Sequence, residues 1–231
     1  LGRWPQQPQH LLKKRKPRVY PAYMLREYDW VGDWLHETQY DMEGVLTLRQ
    51  MKCQMVSLSK AVSYILRHGA SEEEGFHMDS EGSVSVSEIL RSWQFRSFTY
   101  AELHALVERS VDKRFEFVGS QDNPRIRAFQ GHSPRVGDFD ESQLHTVLTL
   151  ADAPAYAVHA TTSDCVESIR LSGLNVMDRT DMHFVDGRLG PRAAMEKRRR
   201  KYNTFLYYDV HRAFRDGGGW KQSANGTNLT R

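Results

Sequence analysis

The fold is decided by the stretch Ser57-Leu58-Ser59-Lys60-Ala61-Val62-Ser63-Tyr64-Ile65-Leu66-Arg67-His68-Gly69-Ala70. Its apolar side chains recur at the i, i+4, i+7 and i+8 spacing of a buried helix face, while Lys60, Ser63 and Arg67 fall on the opposite face. This pattern predicts one short helix that Ser57 caps and Gly69 ends. The last turn carries Arg67 and His68, for which two interpretations stay open. They complement the negative end of the helix dipole, or they bind a phosphate.

The composition is that of an ordinary globular protein. Of the 231 residues, 39% are hydrophobic and 26% are charged, which excludes wholesale disorder and allows one large or two small domains. The net charge is only +3, so a nucleic-acid partner has to be recognised by local clusters of basic side chains. The sequence contains neither a membrane-spanning apolar run nor a signal-peptide pattern, which predicts an intracellular protein, nuclear or cytoplasmic. The two cysteines, Cys53 and Cys165, lack the spacing of a metal site, so no metal is predicted.

Shifts in composition divide the chain into four segments. These are an extension without an assigned role, a first module, a polar linker and a second module, at residues 1–55, 56–133, 134–143 and 144–231. The extension contains a basic run at 13–18, which is typical of a nuclear address, a nucleic-acid arm or a solvated tail. Further along, Trp30 and Trp34 add aromatic bulk that we expect to pack on the first module.

The first module is predicted to be a winged helix. Its predicted strands form two hairpins, 76–78 with 84–86 and 114–118 with 125–129. Ser87 is expected to cap a helix that ends near residue 93, and Thr99 with Glu102 makes a capping box for a further helix over 100–111. Modules of this kind often bind nucleic acid, although a fold by itself does not establish a function.

The second module is predicted to combine helices with short strands, so the fold class of the whole chain is α+β. The predicted strands are 155–159, 176–177, 182–185 and 205–210, and the predicted helices are 163–171 and 191–201. Gly173 ends the first of these helices, and Asn225-Gly226 is a strong signal for a hairpin turn. A sheet built from such strands is antiparallel or mixed.

Several arginines and histidines of the sequence are candidates for binding a phosphate. They occur without a Ser/His/Asp set, a metal cluster or a Walker loop, which favours phosphate recognition over hydrolysis by a nucleophilic side chain. Each has an ordinary alternative: Arg114 as a surface charge, His159 as a buried structural histidine, and 130–133 as a polar turn. The glycine fingerprint of the Rossmann fold is absent, so a dinucleotide would have to bind without that crossover.

Read in order, five motifs resemble those of the tRNA 2′-phosphotransferases. They are LSKxxSYxLRH at 58–68, KRF at 113–115, RAxQGHS at 127–133, HxT at 159–161 and MxRxxxH at 177–183. The resemblance covers about residues 56–230. It implies a winged-helix lobe that binds RNA, followed by a lobe of the ADP-ribosyltransferase type that binds NAD. NAD is then a co-substrate that the reaction consumes, and no metal takes part.

The resemblance also implies a reaction in two steps. The internal 2′-phosphate of a spliced tRNA attacks C1″ of the nicotinamide ribose of NAD, and nicotinamide leaves. The ribose O2″ then attacks the phosphorus, which gives RNA with a free 2′-hydroxyl and ADP-ribose 1″,2″-cyclic phosphate. Because negative charge gathers around one phosphate in both steps, a cluster of fixed cations should dominate catalysis.

Each matching position receives a role from the family. The catalytic positions are Arg67, His68, Arg114 and Arg179. The NAD-binding positions are Gln130, His132, Ser133, His159, Thr161 and His183. Two further positions, Lys60 and Arg127, are expected to contact RNA phosphates. Arg67 and Arg114 would clamp the 2′-phosphate, Arg179 would bridge to the ribose and phosphates that come from NAD, and His68 would exchange a proton with O2″.

Two departures from the family pattern affect the second module. The usual HGT reads His159-Ala160-Thr161, and the methyl group of Ala160 is expected to crowd a backbone that approaches NAD closely. A histidine of the RxHxH run is replaced by Asp181, which is expected to weaken the binding of an anion. Since all four catalytic positions are retained, we predict an active enzyme. We expect it to be a monomer. Two alternatives stay open: a transferase that ADP-ribosylates terminal phosphates of RNA or DNA, and a non-catalytic nucleic-acid binder.

Overall fold

A computed structural model describes residues 18–39, 46–69, 75–136, 140, 144–189 and 202–230. The chain divides into two compact units. Unit 1 comprises Leu1–Ala128 and Arg135–Gly137, and unit 2 comprises Phe129–Pro134 and Asp138–Arg231. The basic run before Arg18, the helix predicted at 191–201 and most of the predicted linker lie outside the described residues.

Unit 1 begins with helices that belong to the predicted extension. The helical elements are α1 (Ala22–Leu25), a 3₁₀ turn (Arg26–Tyr28), α2 (Val31–Thr38), α3 (Leu48–Tyr64) and a π-helical turn (Ile65–Gly69). Trp34 is buried in the same core as α3. Trp30 is partly buried against that core, so both tryptophans pack on the module that follows, as the sequence predicts.

Helix α3 starts earlier than its sequence pattern predicts. Its N-cap is Thr47, whose hydroxyl accepts from the backbone NH of Gln50 while the Gln50 side chain bonds the backbone NH of Thr47. Ser57 is therefore not a cap, and it lies inside the helix, where its Oγ donates to the carbonyl of Cys53. The predicted border at residue 56 falls within this helix. The predicted buried face is confirmed, since its leucine, valine and isoleucine side chains have no exposed surface.

The rest of unit 1 is a small sheet with two more helices. The elements are β1 (Ser83–Ser85), α4 (Val86–Arg91), α5 (Tyr100–Arg109), β2 (Phe115–Gly119) and β3 (Pro124–Ala128). The strands pair antiparallel in the order β1-β3-β2. The capping box of Thr99 and Glu102 is confirmed at the start of α5. The cap predicted at Ser87 is wrong, because α4 begins before it and Ser87 lies in the first turn.

The first predicted hairpin of unit 1 is reduced to a single bridge. Met78 pairs with Val84, and β1 then pairs with β3 instead of continuing along 76–78. Asp79 closes the turn between them, because its carboxylate accepts from the backbone NH groups of Glu81 and Ser83 and from the Ser83 hydroxyl. This turn carries β1 to the edge of the sheet.

Unit 2 is built on one antiparallel sheet, as predicted. The strands are β4 (His145–Val147), β5 (Tyr156–Thr161), β6 (Met182–Asp186), β7 (Thr204–Asp209), β8 (Lys221–Ser223) and β9 (Asn228–Thr230). Their order is β4-β8-β9-β6-β5-β7, and every described pair is antiparallel. The helices are α6 (Val166–Ser172), preceded by a 3₁₀ turn (Ser163–Cys165), and α7 (Val210–Arg215). A core around Phe184 and Trp220 packs against one face of the sheet.

The strand predicted at 176–177 is wrong. Val176 and Met177 lie in a turn, and Met177 has a left-handed backbone with φ of 56°. The Asn175 side chain accepts from the Met177 backbone NH and so stabilises this turn. Strand β4 and helix α7 were not predicted. The Asn225-Gly226 turn is present between β8 and β9, where Gly226 has φ of 78°.

Strands β5 and β6 part after a short ladder. They pair at two positions, residues 157–158 of β5 with 185–186 of β6, and β6 then follows β9 while β5 follows β7. At the point of divergence, Nδ1 of His159 lies 3.1 Å from the carbonyl oxygen of His183. The His159 side chain therefore bonds a carbonyl oxygen where the next backbone hydrogen bond between β5 and β6 would lie. Both histidines lie where the sheet divides.

Among the described residues, no helix is both long enough and apolar enough to cross a membrane.

Candidate functional site

Four of the five predicted site residues of unit 1 lie on α3, in the turn that follows it, or in contact with α3. Arg67 and His68 lie in the π-helical turn and are partly buried. The His68 ring is tilted against the Tyr64 ring, with 6.3 Å between their centroids. The same turn contacts β3 of the sheet. π-Helical turns are uncommon and are frequent at functional sites, which adds a backbone feature to the predicted pair.

Arg114 joins the same helix through its side chain. It lies just before β2, and its Nη1 donates to the Oγ of Ser59 in α3 over 3.4 Å. Its Nη2 bonds two carboxylates, Glu27 at 2.7 Å and Asp112 at 3.2 Å. Ser59 precedes Arg67 by two helical turns. The fold of unit 1 therefore brings the KRF and LSKxxSYxLRH motifs into contact.

The charge of Arg114 is strongly held by its surroundings. Burial lowers the pKa of Arg114, but the negative charges of Tyr28, once its phenol is ionised, and of Glu27 and Asp112 outweigh burial and raise the pKa above its usual value. Burial raises the pKa of Tyr28, and the Arg114 guanidinium and a hydrogen bond with Ser59 only partly counteract that effect. The site thus contains a permanent cation and a neutral phenol.

The two predicted RNA contacts differ in their surroundings. Lys60 is exposed on α3, and its ammonium lies 4.4 Å from the centroid of the Tyr20 ring. Arg127 lies in β3, opposite Glu116 of β2, and bonds that carboxylate at 2.7 Å. A second carboxylate, Glu81, is 3.6 Å from Arg127. The charge of Arg127 is therefore balanced within the sheet, and its contact with RNA stays a prediction.

In unit 2 three predicted residues, Arg179, His159 and His183, lie where the sheet divides. Arg179 is exposed, and its Nη1 lies 3.3 Å from Nδ1 of His183. The segment 130–133 meets the same loop, because the backbone NH of Thr180 donates to the carbonyl of His132. The structure thus joins the RAxQGHS and MxRxxxH motifs within this unit.

The tautomers of the two histidines follow from their partners. A carbonyl oxygen only accepts, so Nδ1 of His159 carries the proton that it donates to His183 O. A guanidinium only donates, so Nδ1 of His183 accepts from Arg179 and the proton of the neutral ring is on Nε2. Both contacts lie at the point where β5 and β6 part.

The remaining predicted NAD-binding residues are mostly buried. Gln130 donates to Thr227 and accepts from the hydroxyl of Ser223, which ties it to the β8–β9 hairpin. His132, Ser133 and Thr161 are buried. Within the described part of the chain, the Ser133 Oγ is buried without a hydrogen-bond partner. Such an orphaned hydroxyl is expected where a polar ligand completes the site.

Ala160 and Asp181, the two departures from the family pattern, are both accommodated by their neighbours in the sheet. Ala160 lies in β5 opposite Phe205 of β7, with φ in the ordinary range, so its methyl group causes no backbone strain. Asp181 is only 3% exposed, and its Oδ2 forms an ion pair with Nζ of Lys221 at 2.8 Å. Lys221 therefore neutralises the negative charge that the sequence places beside Arg179. The effect of either departure on NAD stays a prediction.

Sequence reasoning missed the side chains that hold the predicted groups. Around Arg114 these are Glu27, Tyr28 and Asp112, and in unit 2 the missed residue is Lys221. Asp112 stands two residues before Arg114 and was open to prediction. Glu27 and Lys221 reach their partners only through the tertiary fold. Among the described residues, no group of histidine, cysteine or carboxylate side chains could hold a metal ion.

Comparison with known proteins identifies the class to which these motifs belong. The family described as RNA 2′-phosphotransferase, Tpt1 / KptA family, matches residues 53–231. The chain is 36% identical to tRNA 2′-phosphotransferase 1 of Danio rerio over 184 residues, which cover 79% of this chain and 80% of that protein. It is 34% identical to the human protein of the same name over 177 residues, covering 76% of this chain and 68% of the relative.

A bacterial relative extends the comparison. The chain is 34% identical to a probable RNA 2′-phosphotransferase of Pectobacterium atrosepticum over 137 residues, which cover 58% of this chain and 70% of that protein. The chain therefore belongs to the RNA 2′-phosphotransferase family.

Proposed function

We propose that this protein removes the internal 2′-phosphate of spliced tRNA and transfers it to NAD. The observation that carries the proposal is the contact between two motifs within unit 1: Arg114 of KRF donates to Ser59 of the helix whose last turn carries Arg67 and His68. Family membership supports the same activity, because the relatives are named tRNA or RNA 2′-phosphotransferases.

The finer fold assignment is part of this proposal. Unit 1 is a winged-helix lobe that binds RNA, and its support is the order of helix α5 followed by the antiparallel hairpin of β2 and β3. Unit 2 is an NAD-binding lobe of the ADP-ribosyltransferase type. Its support is an antiparallel sheet that divides between β5 and β6 at His159 and His183.

In the first step, Arg67 and Arg114 hold the 2′-phosphate while one of its oxygens bonds to C1″ of NAD. The bond between C1″ and the nicotinamide nitrogen breaks, and nicotinamide leaves with that electron pair. Arginine suits this role because its planar fork matches phosphate oxygens and keeps its charge. The raised pKa of Arg114 is consistent with a cation that never titrates during turnover.

In the second step, O2″ of the ribose bonds to phosphorus and the bond from phosphorus to the RNA O2′ breaks. His68 takes the proton of O2″ and passes it to the departing RNA oxygen, which leaves as a 2′-hydroxyl. Arg179 stabilises the negative charge of the phosphates and ribose that come from NAD. The products are RNA with a 2′-hydroxyl and ADP-ribose 1″,2″-cyclic phosphate.

The residues of unit 2 fit NAD as a co-substrate. The Ser133 hydroxyl, buried and without a partner in the described residues, suits a polar group of the dinucleotide. His159 and His183 lie together at the point where the sheet divides, with Arg179 beside His183. The ion pair of Lys221 with Asp181 removes a negative charge that would oppose the diphosphate.

The test is nicotinamide release that depends on the RNA. The full chain is incubated with NAD and either of two RNAs of one sequence, with or without a single internal 2′-phosphate. We expect nicotinamide and dephosphorylated RNA from the modified RNA alone, and strongly reduced release by Arg67→Ala. Nicotinamide release that leaves a stable ADP-ribose group on the RNA would instead identify a transferase that stops after the first step. RNA binding without any nicotinamide release would contradict the proposal.

A further inference from the structure

An N-terminal segment that lies outside the family match is part of the fold of unit 1. The family matches residues 53–231, whereas this segment, residues 18–39, precedes the match. It nevertheless contributes buried side chains to the core that contains α3, namely Tyr20, Leu25, Tyr28, Val31 and Trp34. Its backbone is therefore held in place by burial of apolar surface, and its polar side chains are presented at defined positions.

Three acidic side chains of the N-terminal segment form ion pairs with basic side chains elsewhere in unit 1. Asp29 pairs with Lys52 at 2.5 Å, Glu37 pairs with Arg109, and Glu27 pairs with Arg114 at 2.7 Å. The first two cations have no predicted role in the site. The third is the arginine assigned above to the RNA 2′-phosphate, so the segment places a carboxylate on the group that should hold an anionic substrate.

The same segment also contacts Lys60, which is predicted to bind RNA. The ring of Tyr20 lies under the ammonium of Lys60, and its hydroxyl accepts from Ser57 of α3 over 3.4 Å. Tyr28 adds a phenol next to Arg114 and Ser59. Two of the cations expected to meet RNA are thus already engaged by residues 18–39.

Charge counting shows what this arrangement does to Arg114. Glu27 and Asp112 together bring two negative charges to one guanidinium, and both bond its Nη2. A phosphate monoester carries about −1.5 to −2 charges at neutral pH and would be repelled by the surplus negative charge. Removal of one of these carboxylates would therefore favour binding of the phosphate. Glu27 forms the shorter contact, 2.7 Å against 3.2 Å for Asp112, but it is the more exposed of the two, at 45% against 31%, so water solvates it readily once it leaves Arg114.

We propose that Glu27 is an intramolecular competitor of RNA phosphate at Arg114, so that the N-terminal segment lowers the affinity of unit 1 for its RNA substrate. This inference rests on the proposed function for the role of Arg114. The expected effect is small, because the Glu27–Arg114 ion pair is partly exposed and such pairs are weak. Release of Glu27 should therefore change RNA affinity by up to about fivefold.

The experiment measures RNA binding by the full chain without NAD. Fluorescence anisotropy titrations use a labelled RNA with one internal 2′-phosphate at low ionic strength. Glu27→Gln is expected to tighten binding by about two- to fivefold. Glu37→Gln is the matched control, because it also removes one negative charge and one ion pair of the segment but its partner Arg109 has no role in the site. We expect this control to bind like the unsubstituted protein.

A second arm tests whether the effect passes through Arg114. In an Arg114→Gln background, Glu27→Gln should have no further effect, because the competing pair is already absent. Thermal unfolding of each variant checks that it is folded. The difference between Glu27→Gln and the unsubstituted protein should also shrink at high salt, since screening weakens the exposed pair.

Each contrary result has a defined meaning. Binding by Glu27→Gln that is unchanged or weaker overturns the competition, and weaker binding would make Glu27 a residue that positions Arg114. A gain that persists in the Arg114→Gln background overturns it as well. The outcome is separable from the proposed function. If the unsubstituted protein releases no nicotinamide while the Arg114-dependent gain is observed, the proposed function fails and the competition stands.

Discussion

Lys221→Met is predicted to destabilise unit 2 by about 3 kcal/mol. The ammonium of Lys221 lies 2.8 Å from Oδ2 of Asp181, whose side chain is 3% exposed. At an effective dielectric constant of about 20, two unit charges at this distance attract by roughly 6 kcal/mol, much of which offsets their desolvation. Without the ammonium, the described partner of Oδ2 is the hydroxyl of Thr180 at 3.4 Å. Removing one partner of a buried pair costs about 3–5 kcal/mol, and the partial exposure of Lys221 places this case at the lower end.

The double variant distinguishes the loss of the Lys221–Asp181 attraction from the cost of leaving a buried Asp181 carboxylate without its cation. Asp181→Asn combined with Lys221→Met removes both charges, and we expect it to recover most of the lost stability, to within about 1–2 kcal/mol of the unsubstituted protein. Urea unfolding followed by far-UV circular dichroism gives the free energies by linear extrapolation. Lys52→Met is the matched control, because its partner Asp29 is 70% exposed and the expected loss is below about 1 kcal/mol. A loss below about 0.5 kcal/mol for Lys221→Met, or no recovery in the double variant, would refute the reasoning.

Three further predictions concern single side chains. Arg67→Ala should lower kcat/KM for RNA with a 2′-phosphate by at least about a hundredfold while circular dichroism stays unchanged, because an arginine aimed at transition-state charge contributes several kcal/mol; near-normal turnover would remove Arg67 from the site. Thr99→Ala should lower the free energy of unfolding by about 1 kcal/mol, measured with urea, since it removes half of the α5 capping box; an unchanged value would show that the cap contributes nothing. Burial raises the pKa of Asp79, but hydrogen bonds from Ser83 and the charge of Arg125 outweigh it and hold the pKa below its usual value. Its contribution is therefore present above the unfolded pKa of about 4 and is lost as the pH falls through the lower folded value. Asp79→Asn should flatten the acid limb of stability, and an identical pH profile would contradict this.

Local sequence signals located many elements of this fold. The capping box of Thr99 and Glu102 places the start of α5 correctly, because both partners lie within one turn and need no tertiary contact. Thr47 and Gln50 form a capping box of the same kind at the start of α3, whereas Ser57, the predicted cap, lies inside that helix. The strand predicted at 176–177 failed because an asparagine side chain stabilises a turn there.

The contacts that set the electrostatics of the site were beyond local patterns. Glu27 is 87 residues from Arg114, and the two meet because buried side chains of residues 18–39 dock on α3. Lys221 reaches Asp181 because β8 and β9 lie beside β6 in the sheet. Spacing alone indicates neither neighbour, whereas the motif order predicts the cations of the proposed site. The positions Arg67, His68, Arg114 and Arg179 therefore come from the sequence, and the groups that hold Arg114 come from the structure.

In the proposed reaction, the 2′-phosphate itself moves from RNA to the ADP-ribose part of NAD. The most direct measurement follows that phosphorus, in an RNA labelled with ³²P at a single internal 2′-phosphate and incubated with the protein and NAD. We predict that the label leaves the RNA and appears in ADP-ribose 1″,2″-cyclic phosphate, in an amount equal to the nicotinamide released. Label that remains on the RNA, or that appears as inorganic phosphate without NAD, would contradict it.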